Sequence, residues 1–201
     1  MTSNDLTPEP CPNCGLKHQC VCHQIPQIQT DWHIALLTHP NERYRDTNTG
    51  KLLHQSLGNS SIHIWDRVSP PASLMKMIES HNYQPVVLYP SETSMELSAF
   101  CASDTHLPIL FILLDGTWQE ARKMMNKSQW LKKITSVHLS GSFKSEYKLR
   151  RNQKDGKLCT YEVGIQLSKY FNENHPDEMS QFFNYYLSVF NADKSGHKYT
   201  S

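Results

Sequence analysis

Short apolar runs recur along the chain, separated by longer polar stretches with helical character. The longest run, residues 107–114 (LPILFILL), is apolar apart from Pro108; it is too short to cross a bilayer and suits a strand buried on both faces. Four further runs read as strands: residues 32–38 (WHIALLT), 61–65 (SIHIW), 85–89 (PVVLY) and 136–140 (SVHLS). Helices are predicted over 51–57 and 73–82, after a capping box at Thr93 and Glu96, after Asp115, from Thr160 as N-cap with Glu162 in the first turn, and over 177–190. Strands alternating with helices make an α/β fold, with a mostly parallel sheet flanked by helices.

The apolar run 107–114 stops abruptly at Asp115. Gly116 frees the backbone to turn, and Thr117 with Glu120 three residues on spells a capping box. Strand, turn and helix therefore meet at Asp115-Gly116-Thr117-Trp118. In an open α/β sheet ligands collect beyond the carboxyl ends of the strands, which puts Asp115 and Trp118 beside a substrate. Asp115 could also serve only to stabilise the helix start.

Composition adds two features to this outline. The net charge is only +1, but it is segregated: residues 1–116 hold 6 basic and 11 acidic residues, 117–158 hold 11 and 3, and 159–201 hold 3 and 5. A basic block that follows the central strand offers a docking surface for an anionic polymer, or simply a solvated face. Within it, Phe143 and Tyr147 interleave with Lys144, Lys148, Arg150, Arg151 and Lys154, a mixture suited to looped RNA. The second feature is Cys11, Cys14, Cys20 and Cys22, spaced C-x2-C-x5-C-x-C. Four thiolates at that spacing fit a structural zinc ion with no open position, with an iron–sulfur cluster as the alternative and His18 and His23 as spare ligands.

The polar N-terminus lacks an apolar leader segment, so a cytoplasmic location is expected, where disulfides are rare; no membrane association is expected either. The organisation read from the chain is a disordered tail (1–10), a four-cysteine zinc-binding segment (11–30), one α/β domain (31–190) and a second disordered tail (191–201). Asn48-Thr49-Gly50 is a turn that either leads plainly into the helix over 51–57 or presents backbone amides beside Lys51, and Pro90 falls at the carboxyl end of a strand, level with Asp115.

Three separated elements carry a resemblance: Asn48-Thr49-Gly50; Asp115-Gly116-Thr117-Trp118 with Glu120-Ala121-Arg122-Lys123-Met124 behind it; and Leu149-Arg150 with Cys159-Thr160-Tyr161-Glu162-Val163. Together with the cysteines they make the chain, from about residue 10 to residue 190, similar to the bacterial tRNA-uridine aminocarboxypropyltransferases of the DTW-domain family. It departs from them at Gly116, inserted within the signature, and at Cys159, where many relatives carry serine. The resemblance implies a SPOUT-like fold with a C-terminal knot around the S-adenosyl-L-methionine pocket. It implies transfer of the 3-amino-3-carboxypropyl group to N3 of a uridine in the tRNA variable loop, giving acp3U and methylthioadenosine.

Roles follow from that implied chemistry. Asp115 is the expected general base and Trp118 the ring over the uracil or the sulfonium. Asn48, Thr49, Gly50, Pro90, Leu113, Leu114, Ser140, Arg150, Cys159, Thr160 and Glu162 are expected around the donor. Among these, Arg150 or the amides near Thr160 would take its carboxylate, Glu162 its ammonium, and backbone at Leu113, Leu114 and Ser140 its adenosine. Lys144, Lys148, Arg151 and Lys154 would contact tRNA. A SPOUT-type RNA methyltransferase and a non-catalytic zinc-knuckle RNA-binding protein remain the alternatives, and the oligomeric state is open, with a monomer favoured.

Overall fold

The computed structural model describes residues 8–103, 106–149, 157–171 and 176–200. In chain order its elements are β1 (His33–Thr38), α1 (Gly50–Ser56), β2 (Ser60–Ile64), α2 (Ala72–Glu79), β3 (Gln84–Leu88), β4 (Met95–Glu96), α3 (Leu97–Cys101), β5 (Ile109–Asp115), α4 (Trp118–Lys127), β6 (Thr135–His138), α5 (Thr160–Tyr170) and α6 (Pro176–Lys194). The strands form one sheet in the order β2-β1-β5-β3-β6-β4, and every pairing is parallel.

Side chains of β5 alternate between two apolar layers. Phe111 and Leu113 join Ile34, Leu36 and Val86 in a layer closed by α1, α5 and α6, while Leu110 and Ile112 join Ala35, Leu37 and Val87 under Leu74 of α2 and Met124 of α4. A strand that must be apolar on both faces reads as an unbroken run, which is why this one stood out in the sequence. Parallel pairing also brings all the carboxyl ends to one edge of the sheet. Thr38 stands opposite Asp115 in the β1–β5 register, and the segments leaving β1, β3, β5 and β6 converge there.

Four local expectations change. The predicted capping box at Thr93 and Glu96 is replaced by a turn in which Ser94 Oγ donates to Ser91 O (2.8 Å) and meets His138 Nδ1 (2.9 Å); Met95 and Glu96 then pair with β6, and α3 starts only at Leu97. The central strand begins at Ile109, because Pro108 has no amide to give the ladder. Cys159, not Thr160, is the N-cap of α5. The C-terminal segment is not a loose tail through residue 200: α6 continues to Lys194, Ala192 is buried, and the Tyr199 ring lies edge-on to Tyr185. Of the expected N-terminal tail, residues 1–7 lie outside the described residues and Pro8, Glu9 and Pro10 are exposed.

The cysteine segment packs onto this body. Leu16, Val21 and Ile28 are buried in the same cluster as α6, and Asp193 Oδ1 accepts the amides of Lys17 (2.8 Å) and His18 (2.7 Å). Among the described residues no helix is long and apolar enough to cross a membrane.

Candidate active site

Asp115 ends β5 inside the protein, only 3% exposed. Thr38 Oγ1 (3.1 Å) and Asn48 Nδ2 (2.9 Å) donate to its Oδ2, and Thr160 Oγ1 (2.9 Å) donates to its Oδ1. Three distant segments are therefore tied to one carboxylate. Burial raises its proton affinity above that of an ordinary aspartate, against the opposing pull of the Asn48 amide and the two hydroxyls. Gly50 fits beneath it because it has no side chain: a Cβ there would come within 2.6 Å of the carboxylate oxygens. Asn48 also accepts the amide of Lys51 (2.9 Å), and Thr49 Oγ1 accepts that of Tyr161 (3.3 Å). The Asn48-Thr49-Gly50 turn thus closes on Asp115 and α5.

The start of α4 is fixed as its sequence foretold. Thr117 Oγ1 accepts the Glu120 amide (3.2 Å), and the Glu120 carboxylate accepts the Thr117 amide (2.9 Å), a reciprocal cap whose loss costs about 1 kcal/mol. Arg45 forks onto both Glu120 oxygens (2.7 and 2.9 Å) and also pairs with the buried Glu42. Burial works to raise Glu120, but Arg45 and the Thr117 donors outweigh it and hold the carboxyl at about 2. His39, stacked on Trp65 at 5.4 Å, accepts the Asn41 amide on Nδ1, and burial lowers its proton affinity against the pull of the nearby Glu120.

Above this framework, at the carboxyl ends of β3 and β5, lies a hollow of about 760 Å³, within the range of small-molecule sites. Leu88, Leu113 and Val163 give it apolar walls; Gly116, Thr117 and Trp118 line it from the first turn of α4, and Cys159 and Thr160 from that of α5. Two helix starts with their amides and positive dipole ends favour an anionic group there. Lys157 Nζ sits 4.4 Å from the centre of the Trp118 ring, and Arg122 adds a second cation.

Of the residues expected at a donor site, Thr49, Pro90, Leu113, Leu114, Trp118, Cys159 and Thr160 line this hollow. Asn48, Gly50 and Asp115 do not line it; Thr160, which does, donates to Asp115 Oδ1. Glu162, expected to take the donor's ammonium, is 5% exposed and fully engaged: it accepts from Ser145 Oγ (2.8 Å) and from the amides of Glu146 (2.7 Å) and Cys159 (2.8 Å). It fastens the strap 142–149 to the start of α5. Ser140, expected beside adenosine, lines a second, smaller hollow. Arg150, Arg151 and Lys154 lie outside the described residues, while Lys144 and Lys148 are exposed on the strap.

Sequence reasoning passed over Glu42, Arg122, Tyr147 and Lys157 as lining residues. Arg122 was within reach, since it is four positions after Trp118 and shares its helix face. Glu42 had no such signal, being one acid in a polar loop. Tyr147 was read as a base-stacking aromatic, yet it is 2% exposed and its hydroxyl donates to Thr47 O (2.6 Å).

The four clustered thiols form a separate site. Cys11 Sγ lies 3.6 Å from both Cys22 Sγ and Cys20 Sγ, Cys14 Sγ lies 4.0 Å from Cys20 Sγ, and all four sulfurs fall within 4.8 Å of one another. Sulfurs held about 2.3 Å from a tetrahedral zinc stand roughly 3.8 Å apart, so the donor set fits that ion in type and spacing. Backbone amides of Cys14 and Asn13 bring the Cys11 thiol down to about 6, whereas burial pushes the Cys14 and Cys22 thiols up.

A family model described as DTW domain matches residues 8–191. Over 172 residues the chain is 26% identical to a Mus musculus protein named tRNA-uridine aminocarboxypropyltransferase 2, covering 82% of this chain and 58% of that one. A Drosophila melanogaster protein of the same name is 28% identical over 154 residues (73% and 60%), and an Arabidopsis thaliana tRNA-uridine aminocarboxypropyltransferase A is 28% identical over 134 (59% and 51%). The chain spans between half and three fifths of the length of these relatives. No solved structure is significantly similar to it.

Proposed function

The chain belongs to the DTW-domain family, and from that premise we propose that it moves the 3-amino-3-carboxypropyl group of S-adenosylmethionine onto N3 of a uridine in the tRNA variable loop, in the cytoplasm. One observation carries the reading: of the three donors to the Asp115 carboxylate, only Thr160 also lines the hollow.

When bound, the donor supplies an electrophilic γ-carbon beside its sulfonium and a thioether leaving group. The protein's share is to place the uracil and remove a proton. N3 of uridine is a weakly acidic imide, so its proton must leave as the new N–C bond forms. Asp115 is the base in this scheme, and it acts through Thr160: the N3 proton passes to Thr160 Oγ1 as the hydroxyl proton of Thr160 passes to Asp115 Oδ1, which lies 2.9 Å away. Burial makes that carboxylate a better base than an exposed one. The direct contact expected from the sequence becomes a contact through one hydroxyl.

The remaining walls suit the donor. Leu88, Leu113 and Val163 would sandwich adenine, and the Trp118 face would cover the sulfonium or the uracil. The first-turn amides of α5 with Lys157 would take the donor's carboxylate. Lys144 and Lys148, with Arg151 and Lys154 beyond the described residues, would contact tRNA phosphates. Cys11, Cys14, Cys20 and Cys22 would hold a structural zinc ion, with no position left for substrate. A SPOUT-type C-terminal knot belongs to the same proposal; Tyr147 and Thr160, on either side of residues 150–156, are held to Thr47 and Asp115.

The test is the nucleoside product. With tRNA and S-adenosylmethionine the protein is expected to release methylthioadenosine and leave an aminocarboxypropyl group on one uridine. Release of S-adenosylhomocysteine with a methylated base would overturn this reading in favour of methyl transfer.

A further inference from the structure

The smaller hollow, about 320 Å³, is lined by Ser140 just after β6, Phe143 from the strap, Ser98 from α3, and Gln166, Lys169 and Tyr170 from α5. We propose that it binds one unpaired nucleotide of the same tRNA, a neighbour of the uridine held in the larger hollow.

The two hollows lie along one surface. Thr160 and Val163 line the larger and Gln166 and Tyr170 the smaller, so a single face of α5 runs from one to the other. At 1.5 Å per residue, Val163 and Tyr170 are about 10 Å apart along the helix, a span that neighbouring nucleotides of a splayed strand can cover. The strap joins the same two places, with Phe143 at the smaller hollow and Tyr147 at the larger.

The chemistry of the lining points to a nucleotide. Tyr170 keeps 40% of its surface exposed at the end of α5, where a core aromatic would be covered, and Phe143 is only half-buried. Two such rings offer stacking faces to a base of any sequence. Gln166 and the hydroxyl of Ser140 can donate and accept at a base edge, and Ser98 Oγ, which donates to Glu96 Oε2 (3.2 Å), keeps a lone pair to accept. The lining contains no acid, while Lys169 lies at the hollow and Lys144 next to Phe143, both exposed and both suited to phosphate.

The proposal rests on the larger hollow being a tRNA-uridine site, and two independent readouts separate the two claims. Binding of full-length protein to a tRNA transcript reads the subsite; methylthioadenosine release reads the reaction. Tyr170→Ala is expected to weaken tRNA binding roughly five- to a hundredfold, the range for a lost base stack, and to leave S-adenosylmethionine binding unchanged. Tyr170→Trp should restore tRNA binding, and Lys169→Glu should weaken it with a smaller salt dependence. A tRNA made abasic at a nucleotide flanking the uridine should bind wild-type protein as weakly as the intact tRNA binds Tyr170→Ala. Equal tRNA binding by wild type, Tyr170→Ala and Phe143→Ala, at any strength, overturns the subsite. Tight tRNA binding by wild type with no methylthioadenosine would overturn the reaction and leave the subsite standing.

Discussion

The hydroxyl of Thr160 donates to Oδ1 of Asp115 across 2.9 Å, although the two residues are 45 positions apart in the chain. Thr160 opens α5 and faces the hollow, while Asp115 closes β5 and does not line it. The contact makes the buried acid reachable from the substrate side through one polar atom.

That arrangement separates two substitutions. Asp115→Asn keeps the shape but removes the base, and the rate is expected to fall by two to four orders of magnitude, roughly. Thr160→Val keeps the volume but cuts the path, and a loss of about a hundredfold in kcat is expected with tRNA affinity intact. Single-turnover rates measure both. A Thr160→Val protein within a factor of about two of wild type would remove the hydroxyl from the mechanism.

Gly50→Ala should be among the most damaging small changes in the chain. Its Cβ would meet the Asp115 carboxylate at 2.6 Å, and the carboxylate cannot retreat without giving up Asn48 or Thr160. A destabilisation of about 1–3 kcal/mol is expected, typical of overpacking, together with lost activity. Thermal unfolding of Gly50→Ala against wild type, with single-turnover rates measured alongside, tests it.

The thiol cluster should carry one zinc per chain. Removing it with a chelator is expected to lower the melting temperature and to expose the face of α6 that covers Leu16 and Val21, because the segment has little core of its own. Asp193→Ala, which frees the Lys17 and His18 amides, should speed zinc loss several-fold. Metal content and release rate are the measurements. Unchanged stability after complete chelation would show the thiols to be structurally idle.

Stability should fall in acid in two windows. His33 is brought down to about 4, first by burial and then by the nearby His63, and burial lowers His63 as well. A histidine whose folded value lies below its unfolded value of about 6.5 is neutral in the folded chain while the unfolded chain already binds a proton. Its contribution is therefore present above about 6.5 and lost as the pH drops toward 4. Glu120, held near 2 mainly by Arg45 and Thr117, adds stability that is present above about 4.5 and lost as the pH drops toward 2. Urea midpoints across pH should drop through the first window in wild type and less steeply in His33→Gln.

The sequence by itself determined whatever depends on neighbours along the chain. The unbroken apolar run announced a strand covered on both faces, the Thr117–Glu120 spacing set the start of α4, and the cysteine spacing gave four converging thiols. In each case the deciding forces act within a few residues, as backbone hydrogen bonds, side-chain caps or the reach of a tight turn. Only the tertiary structure decided the partners. Asn48 reaches Asp115 across 67 positions, Arg45 reaches Glu120 across 75, and Glu162 turns from the hollow to bind the strap at 145–147. A buried carboxylate takes whichever donors the packed elements bring within about 3 Å, and no periodicity along the chain encodes that distance.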